Sequence, residues 1–124
     1  MKKSGLLHRD LAGLIAGLGH GDLVVVADAG LPVPLGVACI DLAVNLGLPG
    51  FLPVLDAILQ EMQVESAFRA SEADDIGAQI DQRVPCTRVT HEEFKRRTRT
   101  ARAIIRTGEA TPYANVGLVA GVTF

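Results

Sequence analysis

From Leu23 to Ala27 the chain reads Leu-Val-Val-Val-Ala and then stops on Asp28. A short apolar run with β-branched residues at its centre and no polar alternation suits a strand buried on both faces. Strands of that kind belong to sheets covered by helices on either side, which are mostly parallel. The turn-rich stretch that follows, Asp28 to Gly36 with Gly30, Pro32 and Pro34, ends the strand, and a second strand is expected over Val37 to Val44.

The rest of the chain alternates in the same way. Leu11, Leu14, Ile15 and Leu18 fall at i, i+3, i+4 and i+7, which predicts a helix over residues 10–18 with Asp10 as N-cap and Gly19 as stop signal. His8 has no such setting and reads as surface. Pro49, Gly50 and Pro53 introduce a helix through Met62, with Leu55, Ile58, Leu59 and Met62 on one face. Val64 to Ala70 reads as a strand, Ser71 to Gln82 as a helix weakened by Gly77, and Cys86 to Val89 as a short strand. Thr90 and Glu93 match a capping box at the start of a helix bearing His91. Ala103 to Arg106 and Val116 to Phe124 are the last strands. The alternation predicts an α/β fold, a single domain over residues 1–124 with a largely parallel sheet flanked by helices, and no linker or internal repeat.

Composition narrows the function. With 124 residues, 48% apolar, 21% charged and a net charge of −2, the chain reads as an ordinary globular domain rather than a nucleic-acid or membrane binder. It is small for an enzyme that must enclose a substrate alone, so a second subunit is a plausible aid. Lys95, Arg96, Arg97, Arg99 and Arg102 form a basic run without interleaved aromatics, which favours a solvated helix face over a nucleic-acid surface. Met1, Lys2 and Lys3 precede an apolar run, but Arg9, Asp10 and internal glycines break it and no cleavage pattern follows, so no secretory segment is expected. Cys39 and Cys86 lack metal or redox spacing and read as buried reduced thiols. No glycine-rich phosphate loop and no HExxH spacing occurs, so nothing in the chain asks for a nucleotide, metal or other cofactor.

The residues that could carry chemistry lie in loops after the predicted elements. Tyr113 and Asn115 stand two apart behind Pro112, close to Arg106, Gly108 and Glu109. A phenol, an amide and a guanidinium around Gly and Pro turns suit a hydroxyl-rich ligand such as a sugar, although a lone Tyr also serves as a core or rim residue. Asp28 ends a buried strand, where ligands of open α/β sheets bind, or else it caps its own turn. His20 follows a helix end, where the macrodipole favours the protonated ring of a general acid, or else it is a solvated loop residue. His91 opens a capped helix, where the same dipole opposes the charge and leaves a neutral ring able to bond hydroxyls; a surface histidine is the alternative.

Taken together, residues 1–5, 18–22, 27–32, 91–95, 106–109 and 111–115 resemble the D-ribose pyranases of the ribose/fucose mutarotase family. The likeness extends over nearly the whole chain, with residues 68–86 shorter and more divergent. The resemblance implies a cytoplasmic isomerase that interconverts the β-pyranose and β-furanose forms of D-ribose without a cofactor and supplies the furanose to ribokinase. It also implies that His20 is the proton donor, that Asp28, His91, Tyr113, Ala114 and Asn115 hold the sugar, and that the protein is a ring-shaped homo-oligomer, a decamer of two stacked pentamers. An L-fucose-type mutarotase and a non-catalytic ribose-binding accessory protein are the alternatives, and His20 separates the second from an enzyme.

One geometric expectation concerns the oligomer. Eight residues separate His20 from Asp28, roughly 26 Å if extended. In a parallel sheet Asp28, His91 and the Tyr113 loop share the carboxyl edge and His20 lies at the other. His20 is therefore expected to act in a neighbouring subunit's site.

Overall fold

The computed structural model describes all residues from Met1 to Phe124. Six strands, β1 (Leu23–Ala27), β2 (Ala38–Asp41), β3 (Val64–Ala70), β4 (Thr87–Val89), β5 (Ala103–Arg106) and β6 (Val116–Ala120), form one sheet in the order β2-β5-β1-β6-β3-β4. β2, β5 and β1 are mutually parallel neighbours, as are β3 and β4, whereas β6 runs antiparallel to both β1 and β3. Five strands thus share one direction, and the reversed strand joins the two groups. The reversal has a simple cause: the nine residues between β5 and β6 contain no helix, and a parallel return needs a crossover of a dozen or more residues.

β1 is buried on both faces, as its composition demands. Val24 and Val26 point into a core built with Phe51, Val54, Leu55 and Ile58 of helix α2 (Phe51–Leu59), Leu11 of α1 (Arg9–Ala16) and Ile76 and Ile80 of α3 (Asp75–Arg83). Val25 and Ala27 point the opposite way, into a smaller cluster with Phe68, Ile104 and Phe94 of α4 (His91–Arg97). Three helices therefore cover one face, and α4 with the following 3-10 turn (Thr98–Thr100) covers the other.

Several local expectations are corrected. His8, not Asp10, is the N-cap of α1: its Nδ1 accepts the Leu11 N–H at 3.2 Å. The helix ends at Ala16 with Gly17 as its C-cap, so His20 lies beyond the reach of the helix dipole, which fades within the last turn. β6 ends at Ala120 rather than continuing to Phe124, and α2 is shorter at both ends than residues 49–62. Gly77 in α3 has a packing reason: a Cβ there would stand 2.6 Å from the Arg69 guanidinium, which is buried and forms two bonds to Asp81. Cys39 is exposed on edge strand β2, contrary to the expected burial. Cys86 is half-buried, and burial pushes its thiol up to about 11. The basic face of α4 is solvated and paired with its own acids, Lys95 with Glu92 and both Arg96 and Arg97 with Glu93.

Candidate active site

Asp28 leaves β1 at the carboxyl edge of the sheet, and Asn115 enters β6 beside it because the antiparallel register sets Val116 opposite Val26. The two residues bond to each other twice. The Asp28 N–H donates to Asn115 Oδ1 at 2.9 Å, and Asn115 Nδ2 donates to Asp28 Oδ2 at 3.0 Å. Asp28 Oδ1 accepts the Gly30 N–H at 2.9 Å. Asn115 is fully buried beneath this arrangement, as is Ala114, while Asp28 remains half-buried. A carboxylate has about four acceptor positions, so Asp28 keeps unused lone pairs for a ligand while its backbone and one oxygen are fixed from below.

Tyr113 stands at φ +63°, a left-handed conformation that a bulky side chain rarely adopts. The turn is held by the Asn115 N–H to the Tyr113 carbonyl at 2.8 Å. Its ring meets His91 edge to face, with centroids 5.0 Å apart and planes at 79°. His91 is the first residue of α4, as the capping pattern predicts: Thr90 accepts the Glu93 N–H, and the carboxylate of Glu72 takes the His91 N–H at 2.9 and 3.0 Å. The second half of a capping box is absent, because Glu93 turns to Arg96 and Arg97. The Nδ1 of His91 is buried without a partner, so a ligand can meet the ring only through Nε2.

Asp28, His91 and Tyr113 line one cleft of about 680 Å³, together with Ala29 to Pro32, Leu46 and Glu109 to Pro112. Its place outside the carboxyl ends of the strands is where ligands bind in α/β sheets generally. His20 does not reach it. His20 precedes β1, its loop bonds to the far end of β6 through the Gly21 N–H to the Ala120 carbonyl at 2.8 Å, and its Nε2 lies 3.0 Å from Glu65 Oε1. The full five-residue length of β1, about 16 Å of strand, separates His20 from Asp28.

Two residues near the cleft have roles that the sequence does not reveal. Glu109 lines it, yet its carboxylate accepts the Phe51 N–H at 3.0 Å and the Thr111 hydroxyl at 2.9 Å, capping α2 from across the fold. These bonds, the one from Phe51 foremost, hold its carboxyl below the ordinary range. Gly50, the N-cap residue of α2, has no side chain to do this work. The guanidinium of Arg106 donates to the Ala29 carbonyl at 3.0 Å and pairs with Asp41 at 2.9 Å, and Arg106 does not line the cleft. It braces the Asp28 loop from outside rather than facing a ligand.

The family model described as the RbsD / FucU transport protein family matches residues 1–123. The chain belongs to this family. Among curated relatives, a D-ribose pyranase of Paracidovorax citrulli is 55% identical over the full length of both chains, and D-ribose pyranase 2 of Streptomyces griseus subsp. griseus is 53% identical, again end to end. The structure of Bacillus subtilis RbsD complexed with D-ribose superposes with a TM-score of 0.95 at 46% identity, covering all of both chains. The fucose mutarotase of Streptococcus pneumoniae, solved in complex with L-fucose, is more distant: TM-score 0.78 and 28% identity over 96% of this chain and all of that one. Within the RbsD / FucU family the chain is therefore nearer in both sequence and fold to these ribose proteins than to that fucose enzyme.

Proposed function

We propose that this protein is a D-ribose pyranase, an isomerase that interconverts β-D-ribopyranose and β-D-ribofuranose. The observation that carries the reading is the end-to-end likeness to D-ribose pyranases, in a chain whose carboxyl-edge cleft gathers Asp28, His91 and Tyr113. The reaction is a pair of proton transfers. A proton delivered to the ring oxygen O5 lets the C1–O5 bond break as the anomeric hydroxyl loses its proton to solvent and C1 becomes a carbonyl. Attack of the O4 hydroxyl on C1 then closes the five-membered ring, O4 gives up its proton, and the carbonyl oxygen regains one. Each step is general acid–base chemistry, so side chains suffice without a cofactor.

In this reading His20 is the proton donor. Asp28 accepts from sugar hydroxyls, His91 bonds them through Nε2, and Tyr113 offers its hydroxyl and ring, while Ala114 and Asn115 form the buried floor that fixes Asp28. Because His20 lies at the opposite edge of the sheet, it serves the cleft of a neighbouring subunit, and the working form is a homo-oligomer, a decamer of two stacked pentamers as the family resemblance implies. The oligomer acts in the cytoplasm beside ribokinase, without a nucleic-acid or membrane partner; no helix of the chain is long and apolar enough to cross a membrane.

The test is exchange NMR on D-ribose with catalytic amounts of protein. The expected result is saturation transfer between pyranose and furanose anomeric signals that a chelator leaves unchanged. No acceleration over buffer, with ribose still bound, would leave a binding protein. Faster exchange on L-fucose than on D-ribose would instead favour the fucose branch.

A further inference from the structure

We propose that Glu65 is the positioning residue of His20: carried on a β-bulge at the amino edge of the sheet, its carboxylate fixes the imidazole through Nε2 and leaves Nδ1 as the nitrogen that exchanges protons with the sugar. The inference rests on His20 being the proton donor. In the β3–β6 ladder Val64 pairs with Ala120 and Ser66 with Val119, so two steps on β3 match one on β6 and Glu65 is the additional residue. A bulge bends its strand and re-aims a side chain, and bulges are common beside active sites. Here the re-aimed carboxylate Oε1 lies 3.0 Å from His20 Nε2.

Both partners are tied to the same end of β6. On the Glu65 side, the Gly121 N–H bonds to the Gln63 carbonyl at 2.9 Å, and a Cβ on Gly121 would stand 3.2 Å from the Cβ of Glu65. On the His20 side, Gly21 takes φ +85° so that its N–H reaches the Ala120 carbonyl at 2.8 Å, and Asp22 Oδ2 accepts the Gly19 N–H at 2.8 Å. The side chains of His20 and Glu65 are 59% and 53% exposed. A side-chain contact this exposed contributes little to stability even when both groups are charged, so folding alone does not account for a bulge and two backbone ties converging on it.

The chemistry follows from donor and acceptor rules. A carboxylate only accepts, so the proton on the bonded nitrogen is on Nε2. Nδ1 makes no hydrogen bond within the chain; it carries the second, exchangeable proton when the ring is cationic and a free lone pair when the ring is neutral. It gives that proton to O5 as C1–O5 breaks and regains one from the O4 hydroxyl as C1–O4 forms, so the ring ends as it began.

The test compares Glu65→Ala, Glu65→Gln, His20→Ala and the His20→Ala/Glu65→Ala double variant, using ribose exchange kinetics and the nitrogen-15 spectrum of the neutral His20 ring. Glu65→Ala is expected to lower kcat about tenfold, a fraction of what an acid–base group contributes, with KM for ribose held within about twofold. The His20 ring should change from one tautomer to a mixture. Glu65→Gln should recover part of the rate, because its amide oxygen still accepts from Nε2, and the double variant should lose no more than His20→Ala. If His20→Ala abolishes exchange while Glu65→Ala keeps the wild-type kcat and a single tautomer, the Glu65 assignment is wrong and the donor assignment stands. If His20→Ala retains exchange, the donor assignment itself fails and takes Glu65 with it. Should Glu65→Ala not assemble, Glu65→Gln decides: a full rate with mixed tautomers overturns the proposal.

Discussion

At the scale of single residues, the cleft depends on a side chain that never reaches it. Asn115 commits its carbonyl and one N–H to Asp28, and in Asn115→Ala the Asp28 N–H and one carboxylate oxygen lose buried partners. Such a loss costs about 1–3 kcal/mol. Urea denaturation should show that destabilisation, and ribose kinetics should show KM rising more than kcat falls; an unchanged KM would separate Asn115 from the sugar site. Acid should act on two carboxylates held by hydrogen bonds. Asp81, lowered chiefly by its bond from Arg69, and Glu109, lowered chiefly by the Phe51 N–H, bind fewer protons in the folded chain than in the unfolded one. Their stabilisation is complete above the unfolded carboxylate values near pH ~4 and is lost as pH falls through that range towards the lower folded values. Thermal midpoints should therefore drop steeply between about pH 5 and pH 3, whereas Asp81→Asn should start lower at neutral pH and lose less on acidification. Asp28, His91 and Tyr113 were readable as cleft residues because each follows a strand. Asn115's inward aim and Glu109's cap on α2 depend on partners 87 and 58 residues away, which no local pattern encodes.

At the scale of elements, β6 decides what surrounds the cleft. Gly117 lies opposite Phe68 on β3, and a Cβ there would fall 2.3 Å from the Phe68 ring, so the ring packs across the strand where a side chain is missing. Gly117→Ala forces that buried ring aside and should destabilise by about 1–3 kcal/mol. Combining it with Phe68→Ala should cost less than the two single losses added, a coupling that a double-mutant cycle in denaturant measures. Strict additivity would mean that the ring finds another place. The β-branched run of β1, the exact span of β3 and the Thr90 cap of α4 could be read from composition and spacing. The direction of β6 was written in the short, helix-free link before it, a signal of length rather than of residue type. The bulge at Glu65 leaves no local signature, since it arises only when β3 and β6 pair. The cap of α1 departs from the expected Asp10 because an imidazole, a rare cap, closes the helix two residues earlier and leaves Asp10 inside the first turn.

At the scale of the whole molecule, the two halves of the proposed chemistry face opposite ways. Val33, Leu35, Val44, Leu46 and Leu48 are exposed, five of the nine exposed large apolar side chains, and Leu46 borders the cleft. Exposed apolar surface at the edge of a site suits a contact with another chain. If a neighbour's His20 completes each cleft, His20→Ala and Asp28→Ala chains, each inactive alone, should regain activity when unfolded and refolded together. Random 1:1 assembly pairs an intact His20 with an intact Asp28 at about one quarter of the sites in a head-to-tail ring. Recovery to about that level supports the shared cleft, and verified mixed oligomers that stay inactive would return His20 to its own subunit. These exposed apolar residues cannot be read from periodicity, because surface residues outside helices and strands carry no repeating pattern. If clefts are shared in this way, the placement of His20 and Asp28 at opposite ends of β1 also sets a rule of counting. An open row of n chains joined head to tail holds n − 1 completed clefts, with an idle histidine at one end and an unserved cleft at the other. Only a row that closes on itself puts every chain to work.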